Sequence, residues 1–125
     1  MTTREVAEMI ASIGLPFAYY QFPEDVEQAP PVLCFHYPES RDFYADDTVH
    51  ESREKLIVEL YTPEKSFELE ARVEDALTAH GLAWSRREEF LPSERLFVEV
   101  YTMIVALVKK ESDPCQIRKI RSSTA

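Results

Sequence analysis

The hydrophobic positions at the start of the chain repeat with the period of an α-helix. Thr2, followed three residues later by Glu5, matches the capping box that begins many helices. Gly14 supplies a stop signal, and Pro16 prevents the helix from continuing. We therefore predict a first helix, ending at Gly14, that covers a sheet with one apolar stripe. The stripe consists of Val6, Met9, Ile10 and Ile13.

A second helical pattern begins after Ser66, whose hydroxyl suits an N-cap, and ends at His80 and Gly81. Its apolar and charged positions fall on opposite faces, as in a helix that packs on a core. The apolar face holds Leu69, Val73, Ala76 and Leu77, and the other face holds Glu68, Glu70, Arg72, Glu74 and Asp75.

The other apolar segments alternate with the period of β-strands or are rich in aromatic and β-branched residues. They predict strands over residues 17–22, 32–37, 55–61 and 83–91, with a loop between the first two and a long loop or exposed hairpin arm over residues 39–52. The longest strand pattern runs from Leu96 to Val108, and its second half is apolar on both faces. Such a strand suggests contact with a neighbour.

The order of elements is helix, three strands, helix, two strands. It predicts an α+β fold: an antiparallel or mixed sheet of four to five strands with two helices packed on one face. Because 125 residues suffice for one core, we expect a single domain over residues 1–110. Residues 111–125 contain Pro114 and end in Ser-Ser-Thr-Ala, so they are expected to form a flexible basic tail.

Charge is distributed unevenly along the chain. The net charge is -9, from 14 basic and 23 acidic residues. Residues 109–125 have five basic and two acidic residues, a net of +3, which leaves -12 for residues 1–108. This balance argues against a protein that grips nucleic acid, because phosphate binding depends on Lys and Arg. The basic tail is also suited to meet the acidic body of a neighbouring copy.

Several other classes are disfavoured. The longest apolar run, from Met103 to Val108, is far shorter than a membrane span, and the N-terminus lacks a secretory signal pattern, so we expect cytoplasmic synthesis. Gly14 and Gly81, the two glycines, lie in no phosphate-binding motif, which makes a nucleotide-dependent enzyme improbable.

Two sets of residues are candidates for chemistry. The first is an acidic segment whose carboxylates and imidazole could bind a divalent cation or act as acid and base. It has neither EF-hand nor HExxH spacing, and a solvated acidic loop is the simpler interpretation. It comprises Asp42, Asp46, Asp47, His50, Glu51 and Glu54. The second is Cys34 with His36, which share one strand face and could ligate zinc together with His50 or His80; a small apolar Cys in a core is the simpler interpretation. Neither Cys34 nor Cys115 has a flanking signature of a nucleophile. We therefore predict no enzyme, no cofactor and no metal.

Short sequence words across residues 5–108 resemble a family of small proteins from tailed phages and prophages, the tail terminators or tail-completion proteins. They are GLPFAYYQFPE at 14–24, PES at 38–40 leading to FYAD at 43–46, VELYT at 58–62, EARVEDAL at 70–77, and Ser93-Glu94 before the last strand. The apolar end of that strand and the basic tail depart from the family pattern.

The resemblance implies a structural protein that closes into a homo-oligomeric, hexameric ring, caps the tail tube and joins it to the head. Its partners would be copies of itself, the major tail tube protein and the head-completion or connector protein. DNA would pass through an acidic channel without being gripped, and no membrane is involved. The protein would occur in the host cytoplasm during assembly and then at the tail–head junction of the virion.

Exposed aromatic residues among charges are typical of interfaces, although the segment could equally fold onto its own sheet. The residues predicted for the interface are Arg41, Asp42, Phe43, Tyr44, Asp46 and Asp47 in the charged segment, and Phe97, Tyr101 and Met103 in the last strand. The alternatives are a head–tail connector or neck protein, a small metal-dependent enzyme that uses the acidic segment, and an acidic regulator that mimics DNA.

Overall fold

The computed structural model describes residues 1–40 and 51–108. It confirms the predicted α+β class, with two helices and a five-stranded mixed sheet that is mostly antiparallel. The elements are α1 (Thr3–Ser12), β1 (Phe17–Tyr19), β2 (Val32–Ser40), β3 (Glu51–Thr62), α2 (Phe67–Ala79), β4 (Ser85–Leu91) and β5 (Leu96–Val108). Within the described ranges no helix is long and apolar enough to cross a membrane.

The strand order in the sheet is β1-β2-β3-β5-β4. β1 runs parallel to β2, and each of the other neighbouring pairs is antiparallel. β3 and β5 pair along nearly their whole length, from Glu51 opposite Val108 to Thr62 opposite Phe97. These two long strands form the centre of the sheet.

Both helices begin where the sequence indicates. Thr2 and Glu5 form the predicted capping box, in which each side chain accepts a hydrogen bond from the other residue's backbone N–H at 3.1 and 3.0 Å. The Ser66 hydroxyl accepts from the Leu69 N–H at 3.2 Å at the start of α2. At the end of α1 the Arg72 guanidinium donates to the Ile13 carbonyl, which ties α2 to the last turn of α1.

The core lies between the helices and one face of the sheet. Apolar residues of both helices meet alternate residues of β2, β3 and β5, as expected when a helical stripe covers a strand face of period two. The buried set is Val6, Met9, Ile10, Ile13, Leu33, Phe35, Leu56, Val58, Leu60, Val73, Leu77, Tyr101, Met103, Val105 and Leu107.

The predicted bounds of the first four strands needed correction. The first strand stops at Tyr19, not at residue 22, because Tyr20 adopts a positive φ of 66° and turns the chain away from β2. β2 continues past Pro38 to Ser40, and its register with β3 shifts between His36 and Glu39. The shift accommodates a proline, which has no N–H to donate to the neighbouring strand.

β3 is also longer than predicted, and β4 begins at Ser85, not at residue 83, whereas β5 has the predicted bounds. The residues predicted to form an arm, 41–50, and the predicted tail, 111–125, lie outside the described residues.

Candidate functional site

The two faces of the sheet have different surroundings. One face is covered by α1 and α2 and contributes the core. We call the other the open face, because no helix of the described residues packs on it. On β5 the open face carries Leu96, Val98, Val100, Thr102, Ile104, Ala106 and Val108, and beside them lie Val32, Cys34 and His36 of β2 and Lys55, Ile57, Glu59 and Tyr61 of β3.

The open face is exposed and apolar at one end. Ile104 and Val108 are 41% and 44% exposed, and Ala106 between them is also exposed. We call these three residues the apolar end. On the neighbouring strand Lys55 lies opposite Ile104 and Arg53 opposite Ala106. Glu51 lies opposite Val108, and on β2 Glu39 lies opposite Lys55, so the neighbouring positions hold residues of both charges. Apolar side chains in a row beside charged residues are a surface suited to contact with another protein.

The predicted interface residues of β5 point the other way. Tyr101 and Met103 are 0% and 3% exposed and belong to the core under the helices of their own chain, so neither is available to a partner in this structure. Phe97 is half-buried on the same face, with its ring centroid 5.0 Å from that of Phe90. The exposed apolar residues of β5 are Ile104, Ala106 and Val108 instead. The six residues predicted in the charged segment, Arg41 to Asp47, lie outside the described residues.

A group of charged residues joins α2 to β4 and β5. We call Lys65, Glu70, Arg86, Glu88 and Glu99 the ionic cluster. The Lys65 Nζ lies 2.7 Å from a Glu70 oxygen and 2.5 Å from a Glu88 oxygen. The Arg86 Nη1 donates to Glu99 Oε1 at 2.5 Å. Glu70, predicted to face solvent, is only 5% exposed, so this part of the helix prediction was wrong.

Glu99 is the most deeply buried member of the ionic cluster, at 1% exposed. Burial raises the pKa of its carboxyl, although the hydrogen bond from Arg86 acts in the opposite direction. The hydrogen bond from Lys65 lowers the pKa of Glu88. Beside the cluster, the Tyr101 hydroxyl donates to a Glu74 oxygen at 2.8 Å. The core-facing side of the sheet therefore contains an ion-pair network of two cations and three carboxylates, in which Glu99 Oε2 is buried without a hydrogen-bond partner among the described residues.

The ionic cluster also resembles a set of metal ligands, because oxygens of Glu70, Glu88 and Glu99 lie within 4.8 Å of one another. The Lys65 ammonium, however, already lies within hydrogen-bond distance of two of these carboxylates and 3.7 Å from the third. The Lys65 ammonium therefore occupies the position between the carboxylates that a metal ion would need, and its positive charge would repel a divalent ion. The arrangement fits an internal ion-pair network that fixes α2 on the sheet.

A groove of about 530 Å³ lies at the opposite end of the open face from the apolar end. Residues 20–31 form one wall, and β2, β3 and the turn before β5 form the rest. Its lining combines aromatic, acidic, amide and aliphatic side chains. The aromatic and acidic ones are Tyr20, Phe22, His36, Glu59, Tyr61 and Glu94.

The groove also contains the pair considered for zinc. Cys34 and His36 both line it, but within the described part of the chain no third His, Cys or carboxylate ligand joins them in one cluster. His80 ends α2, where its Nδ1 lies 2.8 Å from the Ala76 carbonyl oxygen, and His50 is outside the described residues. Burial raises the pKa of the Cys34 thiol to about 11, which fits an unreactive, buried Cys.

The acidic segment considered for catalysis is only partly described. Its members Asp42, Asp46, Asp47 and His50 lie among residues 41–50, whereas Glu54 is half-buried in β3.

The chain belongs by its fold to the small α+β proteins with helices on one face of a mixed sheet. No protein-family model matches the sequence, and no curated protein matches it either.

Proposed function

We propose that this protein is a structural subunit of a tailed-phage or prophage particle, a tail terminator that closes into a ring on the tail tube and joins it to the head. The observation that carries the proposal is the apolar end of the open face, which suits contact between copies. The resemblance of short sequence words across residues 5–108 to the terminator family, together with the α+β fold that the resemblance implies, supports the same function.

Covering the apolar end by a second copy of the chain would contribute a moderate free energy of association. Ile104 and Val108 each keep more than two fifths of their surface exposed. Covering two such side chains contributes about 1 kcal/mol each, at roughly 25 cal/mol per Å² of apolar area. Each contact is modest, but a closed ring makes the same contact at every subunit boundary. The surface is therefore suited to subunits that stay soluble alone and associate when brought together.

The charge of the body suits a channel for DNA. Residues 1–108 have a net charge of -12. Acidic side chains on a channel wall would repel phosphates, so that the genome could pass without binding to the wall. An assembled ring whose channel wall is neutral or basic would contradict this part of the proposal.

The first experiment measures assembly. Light scattering after size exclusion, over about 1–200 µM protein, should show a species of several subunits, a hexamer if the family resemblance holds, and electron microscopy should show a ring. The variant Ile104→Asp/Val108→Asp should be monomeric, because burying a carboxylate at the contact would remove it from water at a large cost in free energy. Its circular dichroism spectrum should be unchanged, because both positions are exposed in the single subunit. Phe67→Asp is the matched control, since Phe67 is 75% exposed at the start of α2, on the other side of the sheet from the apolar end.

Two results would overturn self-association through this surface: a strict monomer at every concentration, or a ring that survives the double substitution. The terminator role is tested by adding the protein to tubes assembled from the tail tube protein of the same genome. We expect the ring at tube ends and an end to further growth. Binding to the head connector without any binding to tubes would instead identify a neck protein.

A further inference from the structure

The groove on the open face has the features of a receptor for a basic side chain. Glu59 and Glu94 both line it, and no Lys or Arg of the described residues does. Tyr20, Phe22 and Tyr61 also belong to its lining. Carboxylates combined with aromatic faces are the usual surroundings of bound Arg and Lys side chains, through ion pairing and cation–π contact.

Among the described residues, no Lys or Arg side chain forms an ion pair with Glu59. It is half-buried, and burial raises the pKa of its carboxyl. The Tyr61 side chain hydrogen-bonds to it, and His36 and Arg87 act on it only through their charge. A guanidinium in the groove would stabilise the carboxylate much more than the phenol does.

The wall of the groove adds further negative charge. Residues 20–31 contain Glu24, Asp25 and Glu27 and no basic residue. A basic peptide would therefore be attracted to this end of the molecule over the Debye length of about 8–10 Å at moderate salt.

The chain itself carries a segment of the required charge. Residues 109–125 have a net charge of +3, and Arg118, Lys119 and Arg121 lie within four residues of one another. Isoleucines at positions 117 and 120 alternate with them and could contact the aromatic walls.

The position at which this segment begins favours a second copy over the same chain. β5 runs from Leu96, which lines the groove, to Val108 at its far end. At about 3.3 Å per residue, the twelve steps between them span roughly 40 Å. Arg118 follows Val108 by ten residues, which reach at most about 36 Å when fully extended. Arg118 of the same chain is therefore too far away to contact Glu94, which precedes Leu96 by two residues, whereas Glu59, paired with Val100 eight steps from Val108, is within its extended reach. Contact with both carboxylates favours the segment of a second copy.

We propose that the groove formed by residues 20–31, Glu59, Tyr61 and Glu94 binds the basic segment around Arg118 of a second copy of this chain. The inference rests on the proposed function only in requiring self-association. It names the contact that joins one subunit to the next, in addition to the apolar end.

The test is a disulfide between copies of the full-length chain. Two proteins are prepared in a Cys34→Ala/Cys115→Ser background, one with Glu94→Cys and the other with Arg118→Cys, and are mixed under mild oxidation. We expect a mixed disulfide of the two chains as the main product. Glu8→Cys replaces Glu94→Cys in the matched control, because Glu8 is an exposed carboxylate on α1, far from the groove, and should give at least about tenfold less product.

A third protein with both Glu94→Cys and Arg118→Cys distinguishes the two sources of the segment. Formation of an intrachain disulfide in dilute solution, without product between chains, would overturn the proposal in favour of the chain's own segment. Equal product from Glu8→Cys and Glu94→Cys would also overturn it, because the segment would then have no preferred site.

Charge removal gives a second measurement that needs no added cysteine. Glu59→Gln/Glu94→Gln should weaken self-association about tenfold, which corresponds to about 1.4 kcal/mol, and should reduce its dependence on salt. Unchanged association would contradict the groove contact. A ring that forms without this contact would leave the proposed function standing, whereas the loss of ring, disulfide and association together would remove both proposals.

Discussion

Replacing Arg86 by Met should expose the dependence of the fold on the ionic cluster. Arg86 donates to Glu99 at 2.5 Å, and Glu99 is 1% exposed on the core-facing side of β5. Met fills a similar volume but carries no charge. The substitution leaves a buried carboxylate whose remaining cation, the Lys65 ammonium, is 3.7 Å away and already engaged with Glu70 and Glu88.

Protonation of Glu99 sets an upper limit on the free energy of unfolding that Arg86→Met can remove. A carboxylate that loses its partner can bind a proton, and holding it protonated costs about 1.4 kcal/mol for each pH unit above its usual pKa of 4.5. The ceiling for Glu99 is therefore about 3.4 kcal/mol at pH 7 and about 0.7 kcal/mol at pH 5. We expect Arg86→Met to lower the free energy of unfolding by about 2–3 kcal/mol at pH 7 and by under about 1 kcal/mol at pH 5.

The sign follows from the direction of the pKa shift. Burial raises the pKa of Glu99 in the folded state, so the folded protein binds this proton more tightly than the unfolded chain does. Stability associated with this group is then greatest below the unfolded pKa and declines as pH rises toward the folded pKa. Loss of Arg86 raises the folded pKa further, which extends the decline across neutral pH.

Urea unfolding at pH 5, 6, 7 and 8 measures the effect, with Arg87→Met as the matched control. Arg87 is the next residue of β4, and its pair with Glu89 at 2.8 Å is exposed, so its loss should cost no more than about 0.5 kcal/mol at any pH. In a Glu99→Gln background Arg86→Met should also cost little. Equal losses for the two arginines, or a loss for Arg86→Met that does not shrink between pH 7 and pH 5, would refute the reasoning.

Two further predictions concern backbone and thiol chemistry. Gly14 and Gly81 both have positive φ, but a Cβ at Gly14 would lie 2.8 Å from the Arg72 guanidinium, whereas a Cβ at Gly81 meets nothing within 4 Å. Gly14→Ala should therefore cost about 2 kcal/mol and Gly81→Ala about 1 kcal/mol in urea unfolding, and equal costs would show that Arg72 moves freely. In a Cys115→Ser variant at pH 8, the raised pKa of Cys34 should make its reaction with a thiol reagent about a hundredfold slower in the folded protein than in urea, and equal rates would contradict its burial.

The elements that the sequence predicted best are those with a repeated pattern and a terminal signal. α1 has both an apolar stripe and the Thr2–Glu5 capping box, and it forms where these place it. β5 alternates over thirteen residues and keeps its predicted bounds. Such elements are determined by local residues, which a sequence displays directly.

β3 shows where local pattern is insufficient. Its predicted start at residue 55 was late, because the preceding residues Ser52, Arg53 and Glu54 look like loop. They are paired with Leu107, Ala106 and Val105 of β5. The partner strand determines the length of β3 here, and that pairing is a property of the tertiary fold.

The candidate site was less predictable than the fold for a related reason. The alternation of side chains along β5 places Tyr101 and Met103 on one face of the sheet and Ile104 on the other. It does not indicate which of the two faces the helices cover. The burial of Glu70 depends likewise on cations that approach it from outside α2, Lys65 before the helix and Arg86 on β4. From sequence alone, a charged residue on a helix is predicted to be exposed, because the oppositely charged partners that would allow its burial are not known.

Under the proposed function, the two contact surfaces are compatible with head-to-tail assembly. The apolar end and the groove lie at opposite ends of the open face, and the basic segment follows the apolar end in the sequence. A head-to-tail contact would place the apolar end of one copy against the groove end of the next. Repetition of a head-to-tail contact closes a ring when its rotation divides the circle, and otherwise continues as a filament. A filament would leave one surface uncovered on each terminal subunit, whereas a closed ring would cover both surfaces in every subunit, which is the assembly that the proposed function requires.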